Sequence, residues 1–205
     1  QPLEVTTKMI RAVLLLLTLT ATSGLGSETK APLMLRNGKN RVDFTGECEA
    51  DLVMIARRAN YYAHGFDAVT FYAQDREPDG GGPWTIVPLF AGTEEKLYVT
   101  VGGGADCTLH DFRLFQGSLV VAERELGESY ADPAPVTFKF YDLRRNSDGA
   151  VGWPLYRFEQ VRTEAAKKAY CDVEEAFEKE LQMPSYRRDR ERVTPTTRSS
   201  QPRLR

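Results

Sequence analysis

The groups in this chain best placed to do chemistry are side-chain oxygens gathered in one short stretch. Asp43, Thr45, Glu47 and Asp51 stand at relative positions 1, 3, 5 and 9 of an acidic run that leads into the apolar residues 52–56. A tight loop uses that spacing to wrap a hard cation such as Ca²⁺, which takes roughly six to eight oxygen ligands. The sharp bend of such a loop normally needs a glycine, and Cys48 stands in its place. The stretch is therefore either a worn Ca²⁺ site, the one cofactor the sequence suggests, or an acidic turn that never held an ion.

A polar and aromatic run follows at once: Arg57, Arg58, Asn60, Tyr61, Tyr62 and His64. It reads either as a solvated connection or as a surface for a ligand or partner, since Tyr, Arg and His combine contact area with hydrogen bonding. The chain has two histidines, His64 and His110. Neither has neighbours in sequence that would complete the three or four ligands of a zinc hydrolase. No Gly-x-Ser-x-Gly elbow occurs, and no glycine-rich loop ends in Gly-Lys-Ser/Thr. Gly80-Gly81-Gly82 and Gly102-Gly103-Gly104 precede strand-like segments, where no helix start is available to cradle a phosphate. One Ser-x-x-Lys, Ser27 to Lys30, matches a serine β-lactamase pattern but has no helix to hold it and no companion motif. No catalytic residue can be assigned, and the chain reads as non-enzymatic.

The elements that must hold these groups are mostly strands. Residues 52–56 and 68–73 are short, apolar and rich in β-branched or aromatic side chains. Segments 84–90, 96–101, 108–115 and 118–125 continue the pattern, with Gln116-Gly117 as a tight hairpin. In 136–144 the alternation is clean: Val136, Phe138 and Phe140 on one face, Thr137, Lys139 and Tyr141 on the other. A further strand is expected over 156–161. From Thr163 the spacing changes, and Ala166, Tyr170, Val173, Phe177 and Leu181 predict one helix stopped by Pro184. The fold class is mainly β: an antiparallel β-sandwich with one C-terminal α-helix packed on it.

Targeting and charge divide the chain into three. Residues 1–8 read as upstream sequence, and 9–26 as a secretory signal peptide: a basic start, the apolar run 12–19, then small residues with cuts expected after Ser23 or Gly26. That run is short for a bilayer span of about 20 residues. The domain is expected over 27–184, and an Arg-rich, disordered tail over 185–205. With the positive charge concentrated in the tail, the body is acidic, which argues against nucleic acid as a partner. Three cysteines in an exported chain predict one disulfide and one leftover thiol. Cys107, after a glycine-rich turn at the start of a strand, and Cys171, on the late helix, are the expected pair, with Cys48 left over.

Several segments together resemble one family. Val42-Asp43-Phe44-Thr45-Gly46, Asp51-Leu52-Val53, Ala56-Arg57-Arg58, Ala63-His64-Gly65-Phe66-Asp67, Ala105-Asp106-Cys107, Val136-Thr137-Phe138-Lys139 and Tyr170-Cys171-Asp172 are similar to the carbapenem self-resistance proteins of the CarG-like family. The resemblance covers about residues 35–182. It implies an exported β-sandwich that protects carbapenem producers without β-lactamase activity, and it again implies the Cys107–Cys171 pair. The expected localisation is periplasmic or secreted, with a β-lactam or a cell-envelope protein as partner and no membrane span after cleavage. Two rivals stand beside this: an exported interaction domain with no antibiotic role, and a hydrolase built on dispersed carboxylates with His64 or His110.

Overall fold

The structure, a computed structural model, describes residues 31–47, 51–59, 64–75, 82–104 and 106–186. In chain order the strands are β1 (Gly38–Val42), β2 (Asp51–Arg58), β3 (Phe66–Gln74), β4 (Trp84–Ile86), β5 (Leu89–Ala91) and β6 (Glu94–Lys96). They continue as β7 (Val99–Gly102), β8 (His110–Phe115), β9 (Ser118–Arg124), β10 (Val136–Arg145) and β11 (Tyr156–Ala165), before the helix α1 (Val173–Leu181). The fold is mainly β, mostly antiparallel, with one C-terminal helix, as the alternation and spacing predict. All strands belong to one hydrogen-bonded sheet, ordered β1-β2-β3-β7-β8-β9-β10-β11-β5-β6, with β4 beside β3. Only the β11–β5 pairing is parallel among the described residues.

This sheet curls until its distant strands face each other. The Phe71 ring on β3 lies 5.3 Å from the Phe158 ring on β11, although four strands separate them in the sheet order. Phe44 fills the space between, 6.1 Å from Phe71 and 5.8 Å from Phe158. The closing stitch is two residues long: Val87 donates its N–H to Phe71 on β3, and Pro88 accepts from Phe158 on β11. Where two stacked sheets are expected, the strands form one large sheet, and the main core lies inside its curl.

Strands β8 to β10 are covered on both faces. Their inner side chains, Phe112, Leu114, Leu119 and Val121, join the main core. Their outer ones, Val120, Ala122, Val136, Phe138 and Phe140, pack with Val173, Ala176 and Phe177 of α1. The alternation read in 136–144 is this two-sided burial.

The helix begins later than its stripe predicts. Residues 163–165 extend β11, because β10 supplies ladder partners as far as Thr137 and Val136 accepts from the Ala166 N–H. Tyr170 falls on the helical spacing but forms an isolated bridge with Ala134. Helical turns start only at Val173, after Asp172, with Glu174 and Glu175 near the positive end. Cys171 therefore precedes the helix, and it forms the expected disulfide with Cys107, Cα to Cα 5.3 Å. Arg124, buried, donates to the carbonyls of Tyr130, Asp132 and Cys171 and so ties the 125–135 loop to the same joint. Beyond the helix, Tyr186, which the charge pattern assigns to the tail, is fully buried with its ring 4.6 Å from Phe112.

Candidate functional site

The acidic stretch folds into a turn whose oxygens already have donors. Asp51, buried at the start of β2, accepts the N–H groups of Phe44 and Thr45 at 2.9 and 2.8 Å. Burial pushes its carboxyl up, and those hydrogen bonds pull it back. Asp43 accepts from the Gly46 N–H at 2.7 Å and from the Gln116 amide at 3.1 Å. Glu47 reaches across the molecule to Arg145 at 2.8 Å and to the Tyr156 hydroxyl at 2.5 Å. Thr45 offers its backbone to Asp51. Cys48 lies outside the described residues.

The polar and aromatic run is only partly described, since Asn60, Tyr61 and Tyr62 lie outside the described residues. Arg57 stands 4.0 Å from Asp67 across the β2–β3 ladder, and Arg58 covers the Phe66 ring at 5.3 Å. His64 stacks on Tyr130 at 4.9 Å. The register carries this surface onward: Arg58 pairs with Phe66, Phe66 with Gly102, and Gly102 with His110.

At His110 the strands open into a cavity. It holds about 640 Å³, within the roughly 300–1,000 Å³ of small-molecule sites, at the mouth of the curled sheet. Leu89, Val99 and Val121 form its apolar wall, and Leu97 and Tyr98, both about half exposed, form its rim. Thr100, His110, Glu123 and Tyr141 add polar groups, with Glu95 and Lys96 from β6. Glu123 faces His110 across the β8–β9 ladder and is held by Lys139 at 2.5 Å.

Burial and the Glu123 and Glu94 charges push the Tyr141 phenol up to about 12, so it remains a hydrogen-bond donor across the physiological range. His110 moves down: burial, Lys139 and Lys96 disfavour its charged form, against a weaker pull from Glu123. The imidazole facing the cavity is neutral at neutral pH.

Of these residues, sequence reasoning singled out His110 alone. The signal for the rest was an interruption of pattern. In β8 and β9 the inward positions run His110, Phe112, Leu114 and Leu119, Val121, Glu123, so each apolar face ends in a polar residue at the same level. Lys139 breaks β10 likewise.

The model of the CarG-like carbapenem resistance proteins matches residues 35–179, well over half of the chain. The chain belongs to the CarG-like family. A crystal structure of CarG is similar to it at 27% identity and a TM-score of 0.60, covering 76% of this chain and 99% of that one. A comparison with curated proteins gave no match. Within this CarG-like chain, the described part of the acidic turn, the disulfide joint and the mouth cavity all fall inside the matched span.

Proposed function

We propose that this carbapenem-resistance-related protein is exported and acts by binding the antibiotic at the mouth of its curled sheet, one molecule per cavity, without hydrolysing it. The observation that carries this reading is the cavity itself: apolar on one wall, polar on the other, and sized for a small bicyclic molecule. Two of its charged groups, Glu123 and Lys96, are held in ion pairs. Lys139 holds Glu123, and Glu94 stands 3.5 Å from Lys96. A carboxylate neutralised by an ammonium is a poor base for activating water. Export is supported by the 9–26 pattern and by a disulfide, a bond that persists in oxidising compartments.

Incubation of the pure protein with imipenem tests this. The expected result is saturable, one-to-one heat in calorimetry with the absorbance of the intact ring unchanged over many protein equivalents. Loss of that absorbance with turnover would make the protein a hydrolase. A second reading, docking of a cell-envelope protein on the Arg57, Arg58 and His64 surface, is favoured by the exposed Tyr130 ring against His64. It predicts no heat with imipenem and a loss of protection in a Tyr130→Ala variant.

For the turn at Asp43, Thr45, Glu47 and Asp51 we propose a purely structural role, since its described carboxylates are spent on backbone, Gln116, Arg145 and Tyr156 donors. Adding millimolar Ca²⁺ is expected to leave the melting temperature within about 1 °C, because ligand binding stabilises only in proportion to occupancy. A dose-dependent rise of several degrees would restore the cation site.

A further inference from the structure

The groups around the mouth differ in how much of their bonding capacity is already used. Glu123 is engaged by Lys139 and Glu94 by Lys96. An ammonium has three N–H donors, and each of these lysines has a single ion-pair partner among the described residues. The His110 imidazole lines the cavity half-buried, with no side-chain hydrogen bond to a described residue. The Tyr141 and Thr100 hydroxyls add further donors to the wall. Glu95 and the unfilled lone pairs of Glu123 add acceptors to the same wall, while Lys96, Lys139, His110, Tyr141 and Thr100 supply the donors that a ligand with acceptor oxygens would use.

Resting on the reading of the mouth as the ligand site, we propose that it is selective for a small molecule bearing a carboxylate, seated between His110 and the ammonium of Lys96 with its apolar body against Leu89, Val99 and Val121. Charge then decides when that molecule enters. The ionic groups that line the cavity with His110 or act on its charge are Lys96 and Glu95 from β6, Glu123 from β9 and Lys139 from β10, with the Tyr141 phenol neutral. With a neutral imidazole these two lysines and two glutamates sum to zero, which offers an anion no net attraction. A proton on His110 makes the set net positive and adds a charge-assisted donor. The carboxylate therefore arrives together with a proton. The bound state holds more protons than the free state, so affinity rises as pH falls.

Because the chain has two histidines, imidazole NMR reads the site directly. The probes are cyclohexanecarboxylate and its methyl ester, added to the full chain, with imipenem as a third arm. The carboxylate is expected to move the His110 ring signals, leave His64 in place and raise the His110 titration midpoint by about one unit. One unit of coupling corresponds to binding up to about tenfold tighter near pH 5.5 than near pH 7.5. The ester should do neither, and His110→Gln, checked for an unchanged melting curve, should bind with a flat pH profile. Lys96→Met should weaken the carboxylate alone. No movement of His110 at saturating carboxylate, equal binding of the ester, or a pH slope that survives in His110→Gln would overturn the proposal. Carboxylate binding at His110 without imipenem binding would leave this proposal standing and sink the antibiotic reading. Imipenem bound at the mouth without the pH slope would do the reverse.

Discussion

Replacing Arg113 by methionine is expected to cost about 3–5 kcal/mol of stability, although the residue touches neither the mouth nor solvent. Arg113 and Asp111 lie on the outer face of β8, both essentially inaccessible, with Nη1 2.6 Å from the carboxylate. The guanidinium also donates to the Phe112 carbonyl at 2.8 Å and lies 4.3 Å from the Phe177 ring of α1. A buried ion pair gains little overall, because desolvation offsets attraction, but removing one partner strands the other charge. Burial already pushes the Asp111 carboxyl up, against the pull of Arg113, and Glu174 pushes the same way.

The pH dependence has a definite sign. A carboxyl whose folded pKa is raised above its unfolded value contributes stability that is present below the unfolded value and lost as pH rises through the folded one. Arg113→Met removes the opposing pull, so its deficit should be larger at pH 7.5 than at pH 4.5. The paired replacement Asp111→Leu with Arg113→Met leaves no orphan charge and should be close to neutral. Denaturant unfolding of the two single variants and the double variant decides the matter. A double variant as unstable as the singles would mean that the pair itself, and not the stranded charge, sets the stability.

Removing the disulfide is expected to cost a similar amount. The bond joins residues 64 apart in sequence, and loop-closure entropy for that separation is about 4 kcal/mol. It clasps the chain between β7 and β8 to Cys171, two residues before the first residue of α1, where Thr108 also bonds Asp172 and Val173. A Cys107→Ala, Cys171→Ala protein should melt roughly 10 °C lower, with α1 losing protection first. Hydrogen exchange would show this as faster exchange in 173–181 and 131–134 while β2 and β3 stay protected. Uniform loss across the sheet would mean that the bond stabilises the whole domain and not the helix joint.

Most strands were legible because burial inside and outside the curl imposes alternation, as with Val136, Phe138 and Phe140 under the helix. The helix start was not, because its stripe is shared by two structures. Val173, Phe177 and Leu181 are truly helical neighbours, whereas Ala166 and Tyr170 reach the same cluster from the end of β11 and from a bridge to Ala134. Spacing alone cannot separate these, since ladder partners on β10 are what keep 163–165 extended. Segments 84–90 and 96–101 each divide, at Val87-Pro88 where the chain passes from beside β3 to beside β11, and at Leu97-Tyr98 where it passes from the edge strand β6 to β7 within the sheet. Periodicity carries no term for that closure.

The mouth was hidden for a related reason. His110, Glu123, Tyr141 and Lys96 come from four strands, and only the sheet order brings them to one level. What sequence does hold is the trace of polar residues where alternation asks for apolar ones. The acidic stretch was the opposite case, since its oxygens stood out in sequence and are the ones bonded internally.

The most direct test of ligand binding at this mouth is a backbone amide NMR titration of the protein with imipenem. The expected perturbations cluster at Val99, Thr100, His110, Val121, Glu123 and Tyr141 and saturate at one equivalent. Perturbations confined to the far side of α1 or to the Arg57–Arg58 surface, or none at millimolar imipenem, would contradict it.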